Sequence, residues 1–470
     1  MARRAELAGA GALALAAVLW WALVPTYPAY DAYWHLVWGR ELLDGVNPTF
    51  EVYAAPTEHP LYVLVAAIFG LVGEDADRLL VLAGLLSLVA LVCGVWRLTK
   101  DLFGVWPAAL AALFVGSSFA FLLYAVRAYV DVPFLALVAW AASYEVRERK
   151  WLPMVLLVFA GLLRPEAWVL AGLLWLWRFR GSATRERVIL AGLVVLAPLL
   201  WFATDWVVTG DPLHSLTSTS ELAEALGRDR GVLKAPRLFV VHLFDVARAP
   251  VALAGFIGAG LAVARYGWRA MAVPLALVVA GAVTFFGAGV AGLSLLPRYL
   301  TVPAVGLCVF AGYAVAGFTT LPPGDAWLTW WRRFAVAAAV VGIAFFAWKL
   351  PSFGKLSGEL RFVNDTHEEL FALLDEPDVR RARECGPITF PTYRLVPDAR
   401  WVLDIGNDDV TTRAITTPDR GVAIFVARDE KKPRQRYGEA DGVSRRTNRE
   451  VPEGFVELGA SGPFIAYGRC

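Results

Sequence analysis

Long apolar runs follow one another along this chain as far as about Lys349, and that feature leaves it very few folds. Backbone N–H and C=O groups cannot reach water inside a bilayer, so each run has to satisfy its own hydrogen bonds as a helix. A helical span needs about 20 mostly apolar residues. Residues 6–25, 77–97, 105–124, 130–146, 188–208, 248–266, 270–290, 300–318 and 333–350 fit that description. Region 151–178 is interrupted by Arg164-Pro165-Glu166. It reads as two half-helices meeting inside the membrane, because proline removes a backbone donor. The expectation is a polytopic α-helical membrane protein with about 9–11 spans. Composition agrees: 58% of residues are hydrophobic and 18% charged, against roughly 45–50% and 25% in soluble domains. A disordered chain and an ordinary soluble enzyme are both excluded. The net charge is only +2, which gives no sign of a nucleic-acid partner.

Basic residues orient the spans, since Lys and Arg concentrate on the cytoplasmic side. Arg3 and Arg4 precede the first span. Alternation then places Arg97/Lys100, Arg147/Arg149/Lys150, Arg178/Arg180/Arg185/Arg187, Arg265/Arg269 and Arg332/Arg333 on that same side. This requires 151–178 to cross twice or to enter and leave on one face. The N-terminus is then cytoplasmic and the tail extracytoplasmic, in a multi-pass protein of the cell membrane. Residues 6–25 read as an uncleaved span; a cleaved signal peptide is the alternative.

Three segments fall outside: 26–76, 209–247 and the tail from about Pro351. In the first, Asp31 to Leu43 and His59 to Val72 read as helices lying in the interface, with a short true span as the alternative for the second. The chain divides at 350 into a membrane domain, 1–350, and a small α/β domain, 351–470. In that domain Thr366-His367-Glu368-Glu369 resembles a capping box opening a helix through about Arg383. Strand-like runs follow at Ile388–Phe390, Trp401–Leu403, Val422–Ala427, Phe455–Leu458 and Phe464–Tyr467, and 428–450 reads as a charged mobile loop. Cys93 and Cys308 fall in spans. Cys385 and Cys470 fall in the outer domain, where an oxidising compartment favours a disulfide between them; two free thiols is the alternative.

Ionisable groups beside apolar runs are costly and by default mark function. Asp31 follows the first span, in Tyr30-Asp31-Ala32-Tyr33-Trp34-His35, as a general base, a metal ligand or simply an N-cap. Arg127 and Asp131 are four apart, so a continuous helix would pair them. Glu58-His59 precedes Pro60 at an interface. Arg164 and Glu166 flank the broken span and need partners or a wet cavity. Arg298-Tyr299 opens a late span, where the arginine either grips a phosphate or snorkels to headgroups. All are expected at one membrane face, unlike a relay or filter running across the bilayer. Arginines beside carboxylates suit an anionic phosphate together with a group to be deprotonated.

In this pattern the chain resembles the GT-C glycosyltransferases that use polyprenyl-phosphate sugars, in particular the protein-mannosyltransferase and aminoarabinose-transferase branch. Asp31 with Tyr33 and His35, then Arg40-Glu41-Leu42-Leu43-Asp44-Gly45, looks like the first outer loop of that family. Glu58-His59-Pro60-Leu61 is similar to its His/Lys-Pro-Pro-Leu element with one proline missing. Arg127 with Asp131, Leu163-Arg164-Pro165-Glu166, Gly210-Asp211-Pro212-Leu213 and Pro297-Arg298-Tyr299-Leu300 with Pro303 resemble later elements, in order over about 30–320. Asp31 has no adjacent Glu, whereas the protein-mannosylating branch carries an Asp-Glu pair.

The resemblance implies an inverting transfer of a hexosyl or pentosyl group, mannose included, from a polyprenyl-phosphate donor to a hydroxyl of an extracytoplasmic acceptor. That acceptor would be a glycan, lipid or protein of the cell envelope. Phosphate leaves readily, so one base suffices, unlike the two carboxylates of glycoside hydrolysis. Asp31 is the candidate base, with Asp131 also at the catalytic centre. Arg298 and then Arg127 would hold the phosphate. Tyr299, His35, His59, Glu58, Arg164 and Glu166 complete the candidate substrate-binding set. A divalent ion, Mg or Mn, on Asp31, Asp131 or His59 stays open. Two other readings remain: a transporter or flippase of a lipid-linked or anionic substrate, and a non-catalytic membrane scaffold.

Overall fold

The structure is a computed structural model, and it describes residues 2–416, 418–427, 429, 431–438 and 450–470. Residues 2–349 form a helical bundle. Helix α1 (Ala2–Leu23) ends before the Pro28 turn, and α2 (Tyr30–Leu43) and α3 (Pro60–Gly70) follow. Pro60 occupies the first turn of α3, where its missing N–H costs nothing. Then come α4 (Ala76–Phe103), α5 (Val105–Gly116), α6 (Phe119–Val126) and α7 (Asp131–Val146). Helices α5 and α6 form one apolar run bent by 55°. The carbonyls freed at the bend are met from a distant segment: the Arg248 guanidinium donates to Phe114 O at 2.7 Å and Ser117 O at 3.0 Å.

The broken span is α8 (Leu152–Gly161) and α9 (Glu166–Phe179), separated at residues 162–165. Helix α10 (Thr184–Thr209) carries an internal Pro198, and α11 (His214–Ala225) and α12 (Ala235–Val246) make up the second long loop. Next come α13 (Ala249–Tyr266), α14 (Ala272–Val290) and, after a 3-10 turn at Pro297–Leu300, α15 (Thr301–Ala316). The apolar window containing α15 is 94% buried, so α15 is the central pillar. Small residues let its neighbours close on it: a Cβ on Gly258 would lie 2.0 Å from Phe310 O. A Cβ added to Gly312 of α15 would lie 2.3 Å from Pro107 O. Arg298 therefore stands on a turn anchored to the most tightly held helix of the bundle.

Among the described residues, 7 helices are long and apolar enough to cross a membrane, or 8 if the bent pair is one span. The expected spans at 130–146 and 151–178 correspond to the shorter helices α7, α8 and α9.

Helix α16 (Leu328–Lys349) runs on into α17 (Pro351–Leu374), 47 residues in all, across the division expected at 350. The capping box expected at Thr366 is therefore wrong: Thr366 lies mid-helix and its hydroxyl donates to Phe362 O at 2.6 Å. A separate short helix, α18 (Pro377–Arg383), follows. Trp401–Leu403, expected as a strand, is instead the last turn of α19 (Val396–Leu403), which starts at Val396-Pro397. Strands β1 (Ile388–Phe390), β2 (Val410–Thr412), β3 (Gly421–Val426), β4 (Val456–Ser461) and β5 (Phe464–Arg469) form one sheet in the order β2-β1-β3-β5-β4. The β1 pairings are parallel and the other two antiparallel. This sheet buries Ile388, Phe390, Ile424 and Phe464 beneath Leu370 and Leu373 of α17. Cys385 and Cys470 are bonded, Cα–Cα 5.3 Å, tying the end of α18 to the end of β5. Most of the loop expected at 428–450 lies outside the described residues.

Candidate active site

Four elements bring charged side chains to one end of the bundle. Asp31 stands in the first turn of α2, Asp131 begins α7, Arg164 and Glu166 bracket the α8–α9 break, and Arg298 sits on the turn before α15. Asp31 is not an N-cap. The helix begins one residue earlier, Ala29 is its cap residue, and the Asp31 carboxylate accepts instead from Arg298 Nη1 at 2.8 Å. Both groups keep about a fifth of their surface, 22% and 20% of the side chain. The Asp131 carboxylate is completely buried and takes a hydrogen bond from Arg164. Arg164 also donates to Glu166 Oε1, from Nε at 3.0 Å and Nη2 at 2.5 Å. Its guanidinium carbon lies 5.4 Å from the Tyr299 ring centroid. The charges of Arg164, Arg298 and Asp31 all act on Asp131.

The expected Arg127–Asp131 pair does not form. Ala128 has φ 53° and ends the helical path between them, so the two do not share a face. Arg127 turns instead to the start of α2, donating to Pro28 O at 3.0 Å while its own carbonyl accepts from the Ala29 N–H at 2.8 Å. It braces the segment that delivers Asp31.

The two histidines stack beneath Asp31. Their ring centroids are 5.3 Å apart, with an 8° interplanar angle. His35 Nδ1 donates to its own helix, to Asp31 O at 2.6 Å, and His35 Nε2 accepts the His59 N–H at 3.2 Å. One nitrogen donates and the other accepts, so the ring is neutral. Burial pushes His35 down to about 4. It also holds His59 well below the ordinary histidine range, helped by His35, Arg164 and Arg298. Glu58 points away from this stack. With Asp205 of α10 it flanks the Ser215 hydroxyl, which donates to Glu58 and lies 2.8 Å from Asp205 Oδ2. Burial, and then the Asp205 carboxylate, drives Glu58 well above the usual carboxylate range. Asp205 and Ser215 escaped the sequence reading, although a carboxylate inside the run 188–208 was the available signal.

Among the described residues, no three His, Cys, Asp or Glu side chains gather to hold a metal ion. Asp31 and Asp131 each face an arginine, and one orphaned carboxylate oxygen, Asp131 Oδ2, does not amount to a donor set. The residues present do not fit the divalent ion left open above.

Two cavities meet at Arg298. One, of about 450 Å³, lies between the bundle and the C-terminal sheet domain and is the more polar of the two. Its wall includes Asp31, Arg127, Arg228 and Arg298 from the bundle side, and Tyr393, Arg394, Asp398 and Arg436 from the other. The other, of about 370 Å³, opens among α9, α10, α11 and α14 and is lined mostly by apolar side chains, with Arg164 and Glu166 at its head. Arg298 and Tyr299 line both. Across the polar cavity, Asp398 accepts from Tyr27 Oη at 2.9 Å and meets His367 Nε2 at 2.7 Å. His367 Nδ1 lies 2.8 Å from Val363 O. None of these three residues stood out in the sequence.

No family model matches the sequence, and no curated protein matches it. Solved structures do. ArnT from Cupriavidus metallidurans bound to undecaprenyl phosphate superposes with a TM-score of 0.59 at 12% identity, covering 98% of this chain and 97% of that one. The apo state of the same protein gives 0.60 at 13% identity, covering 99% and 98%. An oligosaccharyltransferase from Archaeoglobus fulgidus, tethered to an acceptor peptide, gives 0.45 at 13% identity, covering 76% and 55%. Over nearly its whole length the chain has the fold of ArnT.

Proposed function

We propose that a chain built on this fold, with this site, is a membrane glycosyltransferase that moves a sugar from a polyprenyl-phosphate donor to the hydroxyl of an acceptor outside the cell membrane. One observation carries the reading: Arg298, paired with Asp31 on the polar side, stands where a polar cavity meets an apolar one. A lipid phosphate needs both, an arginine for its head and an apolar channel for its tail. The bound undecaprenyl phosphate of ArnT supports that choice of ligand. In this reading residues 1–350 form the catalytic membrane domain and 351–470 the extracytoplasmic wall of the acceptor cavity, with the N-terminus in the cytoplasm.

Donor phosphate competes with Asp31 for Arg298. The guanidinium follows the phosphate, and the released carboxylate turns to the acceptor. Attack forms the bond from the acceptor oxygen to the anomeric carbon as the bond from that carbon to the phosphate oxygen breaks. Asp31 takes the hydroxyl proton, and polyprenyl phosphate departs on Arg298. Attack opposite the leaving group inverts the anomeric centre. Arg164 holds Tyr299 in place from below, itself neutralised by Asp131 and Glu166.

Asp31→Asn should reduce sugar transfer by about 10²–10⁴-fold while leaving expression and thermal unfolding in detergent unchanged. The assay is transfer by membranes from a cell lacking the native copy. Near-normal turnover would remove Asp31 from the role. Arg298→Ala should raise the donor concentration needed for half-maximal rate, and unchanged donor saturation would count against it.

A further inference from the structure

A third cavity, of about 300 Å³, lies at the opposite end of the bundle and is lined almost wholly by apolar side chains. It shares two walls, α9 and α14, with the apolar cavity below Arg298, and its other walls are α7 and α8 in place of α10 and α11. On α9, Glu166 and Val169 face the near cavity and Leu170, Leu173 and Trp177 the far one. On α14, Thr284 and Ala288 face the near cavity and Val273 and Leu277 the far one. These residues recur at steps of three, four and seven, so on each helix one face runs past both cavities. The two helices pack together, and they run antiparallel, since the Glu166 end of α9 shares its cavity with the Ala288 end of α14. Helix α14 has 19 residues, about 28 Å at ~1.5 Å per residue, close to the thickness of a hydrocarbon core. Trp177 and Trp268 close the far end edge to face at 6.0 Å, beside the Glu145–Arg178 ion pair.

We infer that this far cavity is a binding site for the distal end of a long polyprenyl chain, which enters beneath Arg298 and follows the α9–α14 cleft into the opposite leaflet. The inference rests on the donor reading above and adds a recognition element for tail length. A phospholipid acyl chain, anchored in its own leaflet, ends near the midplane; only a chain longer than one leaflet joins the two cavities. The charged head is fixed at one end of the cleft, and the aromatic pair marks the end of the path at the other. Short-chain phosphates then reach Arg298 but leave the far cavity unfilled.

The test is binding of undecaprenyl phosphate and of farnesyl phosphate to the full chain in phosphatidylcholine nanodiscs, by native mass spectrometry. The wild type should prefer undecaprenyl phosphate by tenfold or more. Ala276→Trp, which fills the far cavity, should abolish the preference and leave farnesyl phosphate binding unchanged. Leu174→Trp fills the same space from α9 and serves if the first variant does not fold. Retention of the preference in a folded variant overturns the inference and leaves the donor reading standing. Loss of bound phosphatidylcholine with the preference intact shows bulk lipid in the cleft and overturns it as well. If neither phosphate binds the wild type, the donor reading itself falls, and the inference with it.

Discussion

Asp31 and Asp131 both face an arginine, but only Asp31 also faces a cavity, and that separates their roles. Asp131 is sealed against Arg164, so removing it leaves the buried guanidinium with Glu166 alone. Asp131→Ala should lower the unfolding temperature in detergent, by less than the roughly 3–5 kcal/mol of a fully unpaired buried charge; an unchanged temperature would mean that Glu166 alone suffices for Arg164. His35 supplies a pH dependence. Its folded pKa is lowered from 6.5 to about 4 by burial, so the folded state resists protonation. The stability it contributes is present above 6.5 and is lost as pH falls towards 4, about 2 kcal/mol by pH 5. Glu58 has the opposite sign: its raised pKa gives stability present below 4.5 that is lost as pH rises through the folded value. His35→Gln should therefore flatten the fall in unfolding temperature between pH 7 and 5, whereas Glu58→Gln, which mimics the protonated acid, should raise stability at pH 7. At this scale the sequence showed which residues were costly to bury but not their partners. Arg127 and Asp131 looked paired by spacing, and one positive φ at Ala128 separated them.

Helix α2 carries Asp31, and what holds α2 comes from the other end of the chain. Arg400 of α19 donates to Glu41 Oε1 at 2.6 Å and to Thr49 Oγ1 at 2.9 Å. Arg40 answers from α2, donating to the Arg400 carbonyl at 2.7 Å and pairing with Asp404 at 2.7 Å. This clamp ties the last turn of α2 to α19 of the sheet domain, so loosening it should let the helix that carries Asp31 shift relative to Arg298. Arg400→Ala should lower the unfolding temperature and cut the maximal transfer rate more than it changes donor saturation. Adding Glu41→Gln should recover part of the stability, because it removes a carboxylate left without its arginine. A double-mutant cycle with no coupling would show that the pair does not hold α2. Hydrophobic periodicity placed α2, α3 and nearly every long helix, since an apolar run of that length in a bilayer has one solution. It misplaced elements of the tail, where short segments carry weak signals. The helix at Thr366 had already begun in the membrane, and Trp401 packs from a helix rather than a strand.

At the scale of the whole molecule, the polar cavity fixes the relation between two parts whose sidedness the sequence could infer only from arginines. Asp31 and Arg298 come from the bundle and Asp398 and Arg394 from the sheet domain, yet all four line one cavity. Whatever face of the membrane the sheet domain occupies, the reacting groups occupy it too. The bonded Cys385 and Cys470 favour the oxidising face, which agrees with arginine clusters gathering on the other. A fusion to the C-terminus should therefore show phosphatase activity with an enzyme that works only outside the cell, and no fluorescence with a protein that folds only inside. Asp31→Cys supplies an independent reading, because a membrane-impermeant maleimide applied to intact cells should label it, and pre-incubation with undecaprenyl phosphate should protect it. Labelling from outside without protection would keep the orientation and place the phosphate elsewhere. Labelling only after the cells are opened would put the cavity on the cytoplasmic face, and a donor displayed on the outer leaflet could not reach Arg298.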